Sequence, residues 1–232
     1  TMGDISAIII TLFLCLILIF SEKLKKNRSS YKIIILGFLA HLIIALYNGF
    51  VGPSIGAGFD AISFISDAEA LALSGNIQFK LGSDSYRNIL GGLFYLFGSS
   101  MFLACMLSVT AYVASLFPLI EICKALKLRN IQTHIIAAYS FLPSMVLFGS
   151  VALREAMQVC FFMFAISYFI QFYSHRKIRF FIIAVFFSFL MGILHFGLLL
   201  FAGGMTTLFI LMNYNQSNKS FVYTKSKFYT YL

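Results

Sequence analysis

Four of the chain's eight carboxylates, Asp60, Asp67, Glu69 and Asp84, fall in one polar stretch between Gly52 and Leu90, with Lys80 and Arg87 beside them. Asp60 and Asp67 are seven residues apart, two helical turns, so on a helix both lie on one face. A carboxylate at the lipid boundary is partly desolvated, which suits it to take a proton from a sugar hydroxyl. The plainer reading is a set of solvated loop acids. A second constellation is Arg154-Glu155, which enters an apolar run. Ionised groups at the mouth of a membrane helix are costly and mark function by default. The guanidinium can grip a phosphate bidentately while Glu155 orients it; the alternative is an interfacial ion pair reaching for the headgroups. Arg87, next to Tyr86, can serve the same anion or a lipid phosphate. His195 stands in an apolar run, where neutral imidazole bridges helices by hydrogen bonding. With a turn at Gly192–Gly197 it would instead face the side that carries Asp60, Asp67 and Arg154.

The elements that position these residues are dictated by the solvent. The 232 residues are 60% hydrophobic and 11% charged, with a mean hydropathy of +0.92. A soluble domain carries about a quarter charged residues, so the composition predicts a polytopic membrane protein. The net charge of +9 does not indicate nucleic acid, because fourteen of the seventeen bases fall into four short clusters between apolar runs. Those clusters begin at Lys23, Lys124, Arg176 and Lys219. Such spacing is that of positive-inside loops, whereas a nucleic-acid surface gathers its bases into one patch. Cys15, Cys105, Cys123 and Cys160 lie in or beside apolar runs without CxxC or Cys/His spacing and read as small core or lipid-facing residues.

In chain order, residues 5–20 predict a retained membrane helix, since Asp4 precedes the run and bases follow it, the reverse of a signal peptide. Ile33 to Val51 predicts a second span, with His41 and Asn48 as interhelical hydrogen-bonding groups. It delivers the 52–90 loop to the outer face. Gly52, Pro53, Gly56 and Gly58 mark a non-helical exit. Asp60 to Ser74 then predicts a short interfacial helix with Phe59, Phe64 and Ile65 turned down and a stop at Gly75-Asn76. Tyr86 to Gly98 is a second interfacial helix or the leading end of the next span. Further spans are predicted over Ser99–Ile122, with a bend at Pro118, over Ile131–Phe148, and from Arg154 to Tyr173. Residues 180–212 are read as two spans meeting near Gly192–Gly197, because a single one would leave the basic tail outside. The expected fold is an all-α polytopic transmembrane bundle of about seven spans with short interfacial helices in the first large outer loop. The transmembrane domain covers residues 1–213, and residues 214–232 form a polar, basic, cytoplasmic tail.

Three phrases in order, FDAISFISDAEALALSGN, SDSYRNILGGLFYLFGSS and FLPSMVLFGSVALREAMQVCFFMFAISYF, resemble the membrane glycosyltransferases of the GT-C superfamily. Members carry an outer loop of the form D-A-x-x-Y/F…A-x-x-L-x-x-G, a later Y…LFG, and a P-S…S…L-R-E approach to a helix. The likeness covers about residues 55–175. A second likeness overlaps it: LREA, a basic turn and GILHFGLLL are similar to the R-Q/E…H-x-S/G pattern of O-antigen and exopolysaccharide polymerases. The first resemblance implies Asp60 or Asp67 as the general base, with Arg154 and Arg87 on the phosphate of a polyprenyl-linked donor. The second implies Arg154 and His195 as the central pair, the loop acids Asp60, Asp67 and Glu69 positioning sugar. Both imply a multi-pass enzyme of the bacterial cytoplasmic membrane, working at its outer face in surface-glycan assembly on a glycan, lipid or protein acceptor. Tyr86, Arg87, Arg154, Glu155, Glu69 and His195 are the expected substrate-binding residues. The oxygen ligands of Asp60, Asp67 and Glu69 would suit magnesium or manganese, and no other cofactor is expected. The chain is shorter than typical members of either family, which leaves open a fragment, a truncated member or one subunit of a glycan-assembly complex. A non-enzymatic flippase, transporter or scaffold subunit is the competing class.

Overall fold

The computed structural model describes residues 1–52, 58–75, 78 and 81–211. The expected exit at Pro53 and Gly56, Asn76 of the helix stop, Lys80 and the basic tail 214–232 lie outside them; Gly58, expected in the exit, instead opens a helix. Among the described residues the chain is helical throughout, with no strand: α1 (Met2–Phe20), α2 (Glu22–Lys25), α3 (Arg28–Phe50), α4 (Gly58–Ser74), α5 (Ser83–Phe97), α6 (Met101–Ala125), α7 (Gln132–Phe141), α8 (Pro143–Phe148), α9 (Glu155–His175) and α10 (Ile178–Leu194). A further apolar helix, α11, covers Phe196–Leu211.

Four helices, α1, α3, α6 and α9, are long and apolar enough to cross a membrane. The other expected spans are shorter or broken. The 131–148 run divides at Leu142, whose extended backbone (φ −59°, ψ 125°) ends α7 before Pro143 starts α8. Proline clashes with a helical conformation in the residue before it and lacks the N–H that would continue the ladder. The 180–212 run also divides in two, at His195. At 1.5 Å per residue these pieces fall short of the roughly 30 Å hydrocarbon layer. Pro118, by contrast, sits inside an uninterrupted α6.

The bundle is organised on α6, 78% of whose apolar window is buried, against 22% in α1 and 33% in both α3 and α9. The sparsely covered helices turn apolar faces outward, as with Ile5, Ile8, Leu12 and Leu16 of α1, which is what a hydrocarbon solvent permits. Helix directions follow from the contacts. α1 and α6 are parallel: Ser100 Oγ donates to Asp4 at one end and Lys23 Nζ lies 2.9 Å from Glu121 at the other. α3 runs opposite, its Ser30 meeting Thr133 at 3.0 Å and its Gly49 pressed against Phe102. α9 runs with α6, since Ser108 Oγ donates to Val151 O just before α9 and Ala156 and Cys160 pack on Ala111. α10 returns along α9 and α11 follows α9 again, with Phe164 on Phe187 and Phe169 on Phe209. The helices α10 and α11 of this hairpin touch at Gly192, where a Cβ would meet Leu199 Cδ1 at 2.6 Å.

One end of the bundle therefore carries Asp4, α4, α5, Arg154 and His195, and the other carries Lys23 to Arg28, Lys124 to Arg129 and Arg176 to Arg179. His41 and Asn48 act between helices as expected. His41 Nε2 is 3.3 Å from Met145 O, its ring stacks on Tyr112 at 3.7 Å, and Asn48 Nδ2 donates to Ser150 O at 2.9 Å.

Candidate functional site

α4 and α5 form a helical pair over the acidic end. The buried stripe of α4 is Ala61, Phe64, Ile65 and Ala68, at the i, i+3, i+4, i+7 spacing of one helical face. Phe64 and Ile65 thus turn inward as expected, but Phe59 is 95% exposed. Five residues along a helix is about 140° around it, so Phe59 and Phe64 cannot share a face. The stripe of α5 is Tyr86, Leu90 and Phe94, all buried. The two helices approach closely at Gly91, where a Cβ would lie 3.0 Å from Leu71 Cβ.

Asp60 and Asp67 each precede a buried alanine by one residue, which places both at the edge of the stripe. Asp67 is engaged: Arg87 Nε lies 2.8 Å from its Oδ2, in ion-pair contact without hydrogen-bond alignment. Arg87 Nη1 donates to Asp84 Oδ1 at 2.6 Å, so one guanidinium ties the two helices together. Asn88 Nδ2 donates to Asp84 O at 2.7 Å. Asp67, Asp84, Arg87 and Asn88 line a cleft of about 500 Å³ with Leu71 and Ser74. Asp60 is exposed, and neither it nor Glu69 makes an ion pair among the described residues. Asp60 and Asp67 are separated by about 10 Å of helix rise and Glu69 points elsewhere around the helix. The three do not converge on one ion, and among the described residues no trio of His, Cys, Asp or Glu does.

Arg154 and Glu155 open α9 deeper in the bundle, level with Ser108 of α6. Ser108 Oγ donates to Val151 O at 2.6 Å and reaches Leu153 O at 3.4 Å, fixing the turn that leads into the helix. No side chain caps the first turn of α9, which leaves backbone N–H groups and the positive end of the helix dipole facing the site. Arg154 Nε is a long 3.5 Å from Glu155 Oε1, and Glu155 Oε2 is buried without a hydrogen-bond partner. The hydroxyl of Tyr86 and Nε2 of Gln158 are buried and unpartnered as well. Gln158 is three residues beyond Glu155, on the same helical face. The fully buried Tyr86 hydroxyl lies beside Cys105 and Ser108 and within electrostatic reach of Glu155, though the Ser108 oxygen is not aligned to bond it. Burial pushes the Tyr86 phenol well up from its ordinary value, so it stays protonated and serves as a donor.

The two groups of residues meet at Phe64. Arg87 Cζ is 5.5 Å and Arg154 Cζ 6.0 Å from the centroid of that ring, distances at which a cation is attracted to an aromatic face. Tyr86 meets the same ring edge-on at 5.1 Å. His195 lies at this end too, because Gly82 at the start of α5 donates to Ile193 O at 2.8 Å. It is exposed, its Nδ1 accepts from Gly197 N at 3.1 Å, and no contact joins it to Arg154. Sequence reasoning did not single out Phe64 as the shared ring, nor Ser108, Gln158 and Asn88. Asp84-Arg87 at i, i+3 was a readable pair; Ser108 and Gln158 gave no spacing signal.

The fold and site define an all-helical membrane protein with a partly buried, incompletely paired polar cluster beneath one end. No protein-family model, curated protein or solved structure matches the chain.

Proposed function

We propose that the chain is an integral-membrane glycosyltransferase that moves a sugar or oligosaccharide from a polyprenyl-phosphate or polyprenyl-diphosphate donor to a glycan, lipid or protein acceptor. The observation that carries this reading is the start of α9: an arginine, a carboxylate oxygen with no partner and an uncapped helix N-terminus, all under the buried phenol of Tyr86. A phosphate fits the guanidinium and the backbone donors, and a sugar hydroxyl fits the unpaired donors and acceptor. The positive-inside bias supports an outer-face site in a bacterial cytoplasmic membrane.

In the reaction, Glu155 takes the proton of the acceptor hydroxyl as its oxygen bonds to the anomeric carbon. The bond from that carbon to the phosphate oxygen breaks, and the phosphate departs on its lipid with the electron pair. Arg154 and the first turn of α9 stabilise the charge that develops there. The cleft of Asp67, Asp84, Arg87 and Asn88 binds the sugar or the acceptor. Asp67 and Asp60 are the alternative bases that the GT-C resemblance implies. A polymerase is the case in which the acceptor is itself lipid-linked, and His195 would then approach Arg154.

The test is the purified full chain in proteoliposomes with a panel of polyprenyl-phosphate hexoses labelled in the sugar. A new glycosidic bond is expected. Label that crosses the bilayer with no new bond would instead make the chain a flippase or transporter, and inertness toward every donor and acceptor would remove the enzyme reading.

A further inference from the structure

The opposite end of the bundle holds a second pocket, of about 400 Å³, walled by Lys23, Lys26, Arg28, Lys124, Arg129 and Gln132. Its cations come from two stretches far apart in sequence, Lys23 in α2, Lys26 just after it and Arg28 at the start of α3, then Lys124 near the end of α6 and Arg129 in the turn to α7, which the fold brings together. Among the described residues the only carboxylate paired with any of them is Glu121, which holds Lys23 Nζ and Lys124 Nζ at 2.9 Å each. That pairing fixes two ammonium groups in place. Among the described residues Lys26, Arg28 and Arg129 have no ion-pair partner. Five positive charges therefore face one pocket against one negative charge.

Two buried side chains, the apolar Ile120 and the polar Gln132, also line the pocket. Gln132 is 6% exposed, and its Nε2 donates to Ser30 Oγ at 3.4 Å. Asn27 already accepts from Ser29 N and Ser30 N at 3.1 Å each, so the attraction for an anion lies in the side-chain cations and not in the first turn of α3. Near these wall residues along the chain are exposed apolar side chains: among the described residues Phe20 is 74% exposed, Leu126 52% and Ile131 43%. A cationic pocket at the end of membrane-crossing helices, in segments that also expose hydrocarbon, matches a ligand with a phosphate head and an acyl tail.

We infer that this pocket binds the phosphate headgroup of an anionic membrane lipid, on the face opposite the site under α4 and α5. It is independent of the reaction proposed above and survives if that proposal fails. Several phosphate contacts are available at once, since arginine forks and lysine ammoniums approach from separate walls. A free phosphate ion would use the same cations but not the exposed apolar side chains of these segments.

The test is native mass spectrometry of the purified chain released from mixed phosphatidylcholine and phosphatidylglycerol, with inorganic phosphate as a competing arm. Wild type should retain phosphatidylglycerol in preference to phosphatidylcholine. The combined Lys26→Ala, Arg28→Ala and Arg129→Ala variant should lose that preference by at least about tenfold. The combined Arg176→Ala, Lys177→Ala and Arg179→Ala variant, which removes equal charge from the same end, should keep it. The single Arg129→Gln variant provides a milder reading if the triple variant fails to fold, and should weaken retention part of the way. Equal loss in both triple variants would reduce the effect to diffuse surface charge and overturn the inference. So would displacement of the lipid by millimolar inorganic phosphate, which would make the site one for the ion.

Discussion

The two ends of the bundle handle charge differently. In the pocket at the basic end, Glu121 is shared between two lysines, and among the described residues Lys26, Arg28 and Arg129 have no ion-pair partner. At the acidic end, Arg87 is shared between two carboxylates, while Glu155 and Tyr86 keep buried polar atoms without hydrogen bonds. Excess cations at helix ends suit headgroups and set orientation. Buried unpaired donors and acceptors are costly and persist where something else completes them. The first end resembles an anchor and the second a binding site, and the contrast between them is the reason for placing chemistry under α4 and α5.

The sharpest way to break that contrast is Arg154→Ala. If Arg154 stabilises the leaving phosphate, transfer should fall about 10²- to 10³-fold, with the helical circular dichroism unchanged and Arg154→Lys recovering part of the rate. Next is Phe64→Ala, which removes the ring shared by both guanidiniums and Tyr86. It should cost about 3 kcal/mol, read as earlier labelling of the buried thiols Cys105 and Cys160 on heating. A neutral result would mean that α4 is not docked as described. Arg87→Ala should cost about 1 kcal/mol, since the pairs it breaks are partly exposed, and the loss should shrink in high salt. The smallest effect belongs to the other end: Lys23→Ala leaves Glu121 paired with Lys124 and should change stability by about 0.5 kcal/mol or less. A larger cost there than at Arg87 would erase the distinction.

Much of the scaffold was legible in the sequence because hydrocarbon is a demanding solvent. Uninterrupted apolar runs marked α1, α3, α6 and α9, and the helical spacing of Ile62, Ile65, Ala68 and Ala72 marked α4, although its buried face runs through Ala61, Phe64, Ile65 and Ala68 while Ile62 is exposed. The glycines near His195 signalled a break, whereas the 131–148 run was read as one span although Pro143 divides it at Leu142. The site was legible in part. Arg154-Glu155 stood out as charge at a helix mouth. That Glu155 keeps an unpaired oxygen, that Asp67 is held by Arg87, and that Tyr86 drops onto Cys105 and Ser108 are products of helix docking, which no local spacing encodes. Asp60 and Asp67 share a face as their spacing requires, but only Asp67 meets Arg87. The basic clusters were legible as orientation signals; the assembly of those at Lys23 and Lys124 into one pocket was not, because it needs two distant stretches to meet.

The central claim is that the carboxylate opening α9 acts on the acceptor. The direct measurement is the rate of glycosidic-bond formation at saturating lipid-linked donor by Glu155→Gln beside Asp67→Asn and Asp60→Asn. The account predicts that Glu155→Gln loses about 10²-fold or more while still binding donor, with much smaller losses in the two aspartate variants. Wild-type turnover by Glu155→Gln, with the rate lost in Asp67→Asn or Asp60→Asn, would contradict it.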